Sequence, residues 1–187
     1  MSLFEFLLVI FSIVLGLGIT ELLSGTVRIL RHDLVFGRLH LLWIVIVFQV
    51  QVQLGWALWW FRSLPEWSYG EFVLVLLQPV LLYLTAAVLF PSNNGPENLD
   101  AHLVRRRRPF FLLIAAYTAN NILIDLLVRD VGLLPAETAF RVGPILLLLG
   151  LVYTTRKAVQ WTLSLMILGL ALWFTYQFTF VVGASAG

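Results

Sequence analysis

Residues 3–27, LFEFLLVIFSIVLGLGITELLSGTV, decide the fold. A bilayer core of about 30 Å asks for roughly 20 apolar residues in helical form, and this stretch meets that length with only Glu5 and Glu21 charged. No basic residue precedes it and no small-residue cleavage site closes it, so it reads as a retained first spanning helix rather than a signal peptide. Ser2 and Glu5 have the spacing of a capping box at its start.

Five further apolar runs follow, at about 39–61, 70–90, 110–128, 136–155 and 159–182. The whole chain of 187 residues is 60% hydrophobic and 12% charged, with a mean hydropathy of +0.94. Soluble domains carry about 45–50% apolar and about 25% charged residues, so the composition belongs to lipid. Open sheets leave backbone groups unpaired in hydrocarbon, and the alternating segments of a membrane barrel are missing. The expected fold is therefore an all-α membrane protein, a polytopic bundle of six transmembrane helices in a single integral-membrane domain, 1–187. Helix five carries Glu137, Arg141 and the pair Gly143-Pro144, and is expected to be kinked, interfacial or re-entrant.

The cations set an orientation. Arg28, Arg31, Arg38, Arg105, Arg106, Arg107, Arg108, Arg156 and Lys157 account for nine of the twelve and fall on one side of a six-span chain. Arg62, Arg129 and Arg141 fall on the other. Cytoplasmic loops carry the excess, so both termini are expected outside, N-out/C-out. Trp56, Trp59, Trp60 and Trp67 gather at the outer end of helix two, with Trp43 and Trp161 near inner boundaries, as aromatic belts at headgroup depth do. The setting that fits is a plasma membrane, in particular a bacterial inner membrane.

The longest connection, residues 91–108, opens with Ser92-Asn93-Asn94-Gly95-Pro96, which is turn chemistry. Asp100 is expected to cap a short interfacial helix running through Arg108, which Pro109 would end or redirect. Arg105, Arg106, Arg107 and Arg108 read either as a topology lock or as a contact for anionic lipid headgroups at the cytoplasmic face.

Polar side chains inside spans are costly and become candidates for function. Glu21 lies about 9 Å from the middle of helix one toward the cytoplasm, at 1.5 Å per residue. Either it pairs with Arg38, Arg156 or Lys157, or it serves as an ion or proton site. Gly18, Glu21 and Gly25 form one stripe of that helix. Ser12, Gly16, Thr20 and Ser24 recur every fourth residue in another, a helix-packing seam of small residues. Asp125, toward the outer face of helix four, has Arg129 four residues on, the spacing of an ion pair. Asn120 and Asn121 lie nearer the midplane. Gln49 and Gln53 share a face of helix two, Gln51 points the other way, and Gln78 precedes Pro79 in helix three. Amides in hydrocarbon either hold helices together or line a wet route.

Several chemistries find no footing. With no cysteine there is no disulfide, thiolate metal site or thiol redox centre. His32, His40 and His102 fall in or beside the cytoplasmic loops without zinc spacing. No nucleophile motif occurs and no cofactor is implied, so enzymatic activity is not expected. Arginines set between apolar runs do not suggest nucleic acid. The expected function is movement of an ion, proton or small solute by a homo-oligomer, along Glu21, Asp125, Asn120, Asn121, Gln49 and Gln53. The rival is a membrane-embedded subunit that transports nothing and binds a protein or lipid.

Overall fold

The computed structural model describes residues 3–31, 37–63, 67–91, 98–128 and 135–179. It contains six helices: α1 Leu3–Arg31, α2 Arg38–Ala57, α3 Tyr69–Leu89, α4 Leu99–Leu127, α5 Pro135–Tyr153 and α6 Lys157–Thr179. A 3-10 turn, Leu58–Ser63, prolongs α2. No strand occurs among the described residues. Five of the helices are long and apolar enough to cross a bilayer. The apolar part of α5, Val142–Tyr153, falls short of that length, and the side chains of Glu137 and Arg141 lie outside the described set.

Local chemistry accounts for the helix starts. Ser68 accepts a hydrogen bond from the Glu71 backbone N–H at 3.2 Å, and the Glu71 carboxylate accepts one from the Ser68 N–H at 2.6 Å, closing a capping box on α3. Asn98 caps α4 by accepting from the N–H groups of Asp100 and Ala101. Gly37 at the start of α2 has no side chain to offer, and the carboxylate of Asp100 caps that helix instead, accepting from the His40 N–H at 3.0 Å. The capping box expected at Ser2 lies outside the described residues.

Pro109 neither ends nor redirects a short helix: α4 runs unbroken through it. The proline removes the hydrogen bond to the Arg105 carbonyl, but both residues are exposed among arginines, where such a loss costs least. At 1.5 Å per residue, α4 is about 43 Å long, so its first turns project beyond a hydrocarbon layer of about 30 Å.

Helix α3 is the centre of the packing, with α1 along one side and α4 along the other; α5 follows α4, and α6 lies against α2 and α5. Apolar side chains form two clusters. At the arginine-rich end, Trp43, Phe110 and Phe111 are fully buried and meet ring edge to ring face, with centroids 5.1–5.3 Å apart. The Trp43 indole donates to the Ser164 hydroxyl at 3.0 Å. Trp43 is thus core rather than belt. At the other end Leu7, Phe11, Leu54, Phe61, Val75 and Ile124 pack together, while Trp56, Trp59 and Trp60 remain exposed, as a headgroup belt requires. Phe6, Val9, Ile13, Phe48, Leu84, Leu123 and Leu172 point outward from the bundle, leaving an apolar surface suited to lipid tails.

Candidate functional site

The amides foreseen along a route fall into two separate groups, near the level at which the two apolar clusters meet. The first joins α2 to α6. Gln49 and Gln53 share a face by their i, i+4 spacing, and both find Thr175. The Gln49 amide donates to the Thr175 hydroxyl at 3.2 Å. The Gln53 amide donates to the same hydroxyl and to the Ala171 carbonyl, the latter at 2.9 Å. Thr175 in turn donates to Ala171 at 2.8 Å.

The second group joins α3 to α4. Gln78 donates to the Asn121 side-chain oxygen at 2.6 Å, and Asn120 donates to the Leu74 carbonyl at 2.9 Å. Asn121 also donates to the Tyr117 carbonyl within its own helix at 3.0 Å. Gln78 and Asn120 are both buried.

Gln51 points away from the first group, as its spacing requires, and is fully buried against α1. A methyl group added at Gly18 would stand 2.9 Å from its amide nitrogen and 3.4 Å from the Tyr83 Cα, so glycine is what lets α1 approach α2 and α3 here. Neither the nitrogen nor the oxygen of Gln51 has a hydrogen-bond partner. Gly25 lies against the Phe90 ring. The stripe Gly18–Glu21–Gly25 therefore faces protein.

Glu21, one turn from Gly18, is half-buried and forms no hydrogen bond or ion pair with any described residue. The pairing with Arg38, Arg156 or Lys157 is not made, although all three are described. Arg28, two turns along the same helix, donates instead to the Pro91 carbonyl at 3.1 Å. Asp125 is half-buried on α4, one turn beyond Asn121 on the same face. It lies on a different helix from Glu21, and its expected partner Arg129 is outside the described residues.

The other candidates separate from these groups. Ser12, Gly16, Thr20 and Ser24 are all exposed, and a methyl group at Gly16 would meet nothing within 4 Å. The seam is thus turned away from the bundle, and the glycines that admit close packing are Gly18 and Gly25. Among the four arginines, Arg107 is half-buried and donates to the carbonyls of Val152 at 3.3 Å and Val104 at 2.8 Å. A cation at the carboxyl end of α5 complements that helix's dipole. Arg105 lies 3.5 Å from the His102 ring, and Arg105, Arg106 and Arg108 are exposed.

Two participants escaped the sequence reading. Thr175 sits in an apolar helix with nothing local to mark it, although a pair of amides on one face of α2 implies an acceptor on whichever helix faces it. Asp100 has the sequence context of a cap for its own helix, and the reading had no way to know that Gly37 lies beside it. Among the described residues, no group of three or more His, Cys, Asp or Glu side chains comes together. Comparison with family models, with curated proteins and with solved structures returns no match.

Proposed function

We propose that this chain is a small polytopic membrane protein that moves an ion, a proton or a small solute through its helix bundle. The observation that carries the reading is Glu21: a carboxyl side chain at membrane depth, turned toward neighbouring helices, that no cation among the described residues neutralises. A group in that position is expensive to keep unless it binds something, and intramembrane carboxyls do so in ion and proton pathways. Glu21 is the binding or proton-transfer group, Asp125 an outer station, and Asn120 and Asn121 the polar wall between. Gln49 and Gln53 are proposed to line the same route, although their hydrogen bonds go to Thr175 and Ala171 of α6. The reading includes six spans with both termini outside, α5 bent at Pro144 or re-entrant, assembly as a homo-oligomer in a bacterial inner membrane, and no cofactor or enzymatic step.

The test is flux. Purified protein in proteoliposomes, under imposed proton, sodium, potassium and chloride gradients, should show transport that folded Glu21→Gln loses by at least about tenfold, the factor that corresponds to about 1.4 kcal/mol. Equal flux in the two proteins removes Glu21 from the mechanism.

A second reading has its own observation. The Ser12–Gly16–Thr20–Ser24 seam faces outward, as a surface does that receives another transmembrane helix. On this reading the chain transports nothing and holds a second copy of itself or a partner subunit within the bilayer, with Arg105, Arg106 and Arg108 against anionic headgroups. Absence of flux under every gradient, together with a dimer that Gly16→Leu dissociates, selects it.

A further inference from the structure

The polar group between α3 and α4 has an uneven hydrogen-bond account. Two backbone carbonyls fix the orientation of all three amides. Leu74 offers only an acceptor to Asn120, so Asn120 must present its NH2 there, and its oxygen points elsewhere. The Tyr117 carbonyl accepts from the Asn121 NH2, so Asn121 turns its oxygen toward Gln78, and the Tyr117 hydroxyl also bonds the Asn121 side chain. Gln78 must then give its NH2 to that oxygen, leaving its own oxygen over. No exchange of nitrogen and oxygen labels escapes this sequence, because each alternative sets acceptor against acceptor.

What is left over is therefore all of one kind. The Gln78 and Asn120 side-chain oxygens are buried without a donor, in residues only 3% and 4% exposed. Proline at position 79 adds a third, since the N–H that would serve the Val75 carbonyl does not exist. Val75 is fully buried. Two unpartnered side-chain oxygens, on Gln78 and Asn120, and the Val75 carbonyl that Pro79 cannot serve thus fall within about one turn of α3 and of α4. Leaving buried acceptors unmet costs about 1–3 kcal/mol each.

We propose that the α3–α4 interface binds a dehydrated monovalent cation, of the sodium or potassium kind, on the side-chain oxygens of Gln78 and Asn120 and the Val75 carbonyl. Neutral amide and carbonyl oxygens suit a singly charged ion; a divalent ion asks for carboxylates in its first shell. The site does not require Glu21 to carry anything, so it stands or falls separately from the transport reading.

The experiment is done without a gradient. The full-length protein in detergent is heated in sodium, lithium, potassium or rubidium chloride, with choline chloride holding ionic strength constant. Sodium or potassium should raise the unfolding midpoint saturably, by roughly 5–10 °C at about a hundred times the half-saturating concentration, and choline should not. Gln78→Leu and Asn120→Leu should lose the saturable rise, and Thr175→Val, in the other polar group, should keep it. Identical midpoints in all the salts, choline included, overturn the proposal in favour of water on these oxygens. Persistence of the rise in both leucine variants overturns it too. If neither variant folds, equilibrium dialysis of radioactive sodium and rubidium against the unaltered protein decides. Binding that approaches one ion per chain and resists choline supports the site, and no bound ion ends it.

Discussion

Gly16 and Gly25 lie on the same helix and meet opposite surroundings. A side chain at Gly25 would run into the Phe90 ring, whereas one at Gly16 meets nothing within 4 Å. Gly25→Ala should therefore destabilise the protein by about 1–3 kcal/mol, the usual cost of overpacking. Gly16→Ala should leave the monomer unchanged or slightly firmer, since alanine is the better helix former. Unfolding in mixed detergent with a graded denaturing component reads both. The sequence showed a four-residue repeat of small side chains and, beside it, the stripe Gly18–Glu21–Gly25. It could not show which of the two meets another helix, because both satisfy the steric condition for close approach. The amides were more legible: the shared face of Gln49 and Gln53 and the opposed direction of Gln51 follow from helical periodicity alone. Their partners did not, since Thr175 is distant along the chain. A double-mutant cycle on Gln53→Leu and Thr175→Val should give a coupling of about 0.6–1.7 kcal/mol, the range for hydrogen bonds between transmembrane helices.

Among the elements, the apolar runs were readable because hydrocarbon thickness imposes a length on them, and the six helices occur where those runs do. The amino-terminal third of α4 was not. Pro109 ordinarily marks a boundary, and sequence carries no statement that the lost hydrogen bond would fall among exposed arginines, where it costs least. Nor does it reveal that Asp100 serves α2. Asp100→Ala should reduce stability by about 0.5–2 kcal/mol, and Asp100→Asn should restore most of it, because an asparagine oxygen still accepts from the His40 N–H. Hydrogen exchange in the first turn of α2 should quicken in the alanine variant and stay slow in the asparagine one.

For the molecule as a whole, the chain contains no cysteine, so single cysteines report sidedness without background. On the proposed orientation, with both termini outside, Tyr69→Cys, at the start of α3, should react with an impermeant maleimide added to intact cells. Arg156→Cys, between α5 and α6, should react only after the membrane is opened; both positions are exposed. The reverse pattern would invert the orientation drawn from the arginines. Polar residues were legible as candidates because any amide or carboxyl in a spanning helix stands out. Their sorting into one group between α2 and α6 and another between α3 and α4 depended on which helices are neighbours, and composition does not encode that.

The carboxylate that closes the start of α2 belongs to a residue sixty positions later in the chain. During synthesis, α2 and α3 leave the ribosome before that residue does. A chain halted after α3 therefore holds a helix whose first turn still lacks its acceptor, and Gly37 has no side chain to stand in. Arg28 reaches the Pro91 carbonyl in the same interval, so the link from α1 to the end of α3 is available earlier. The first turn of α4 thus completes a helix that is synthesised well before it.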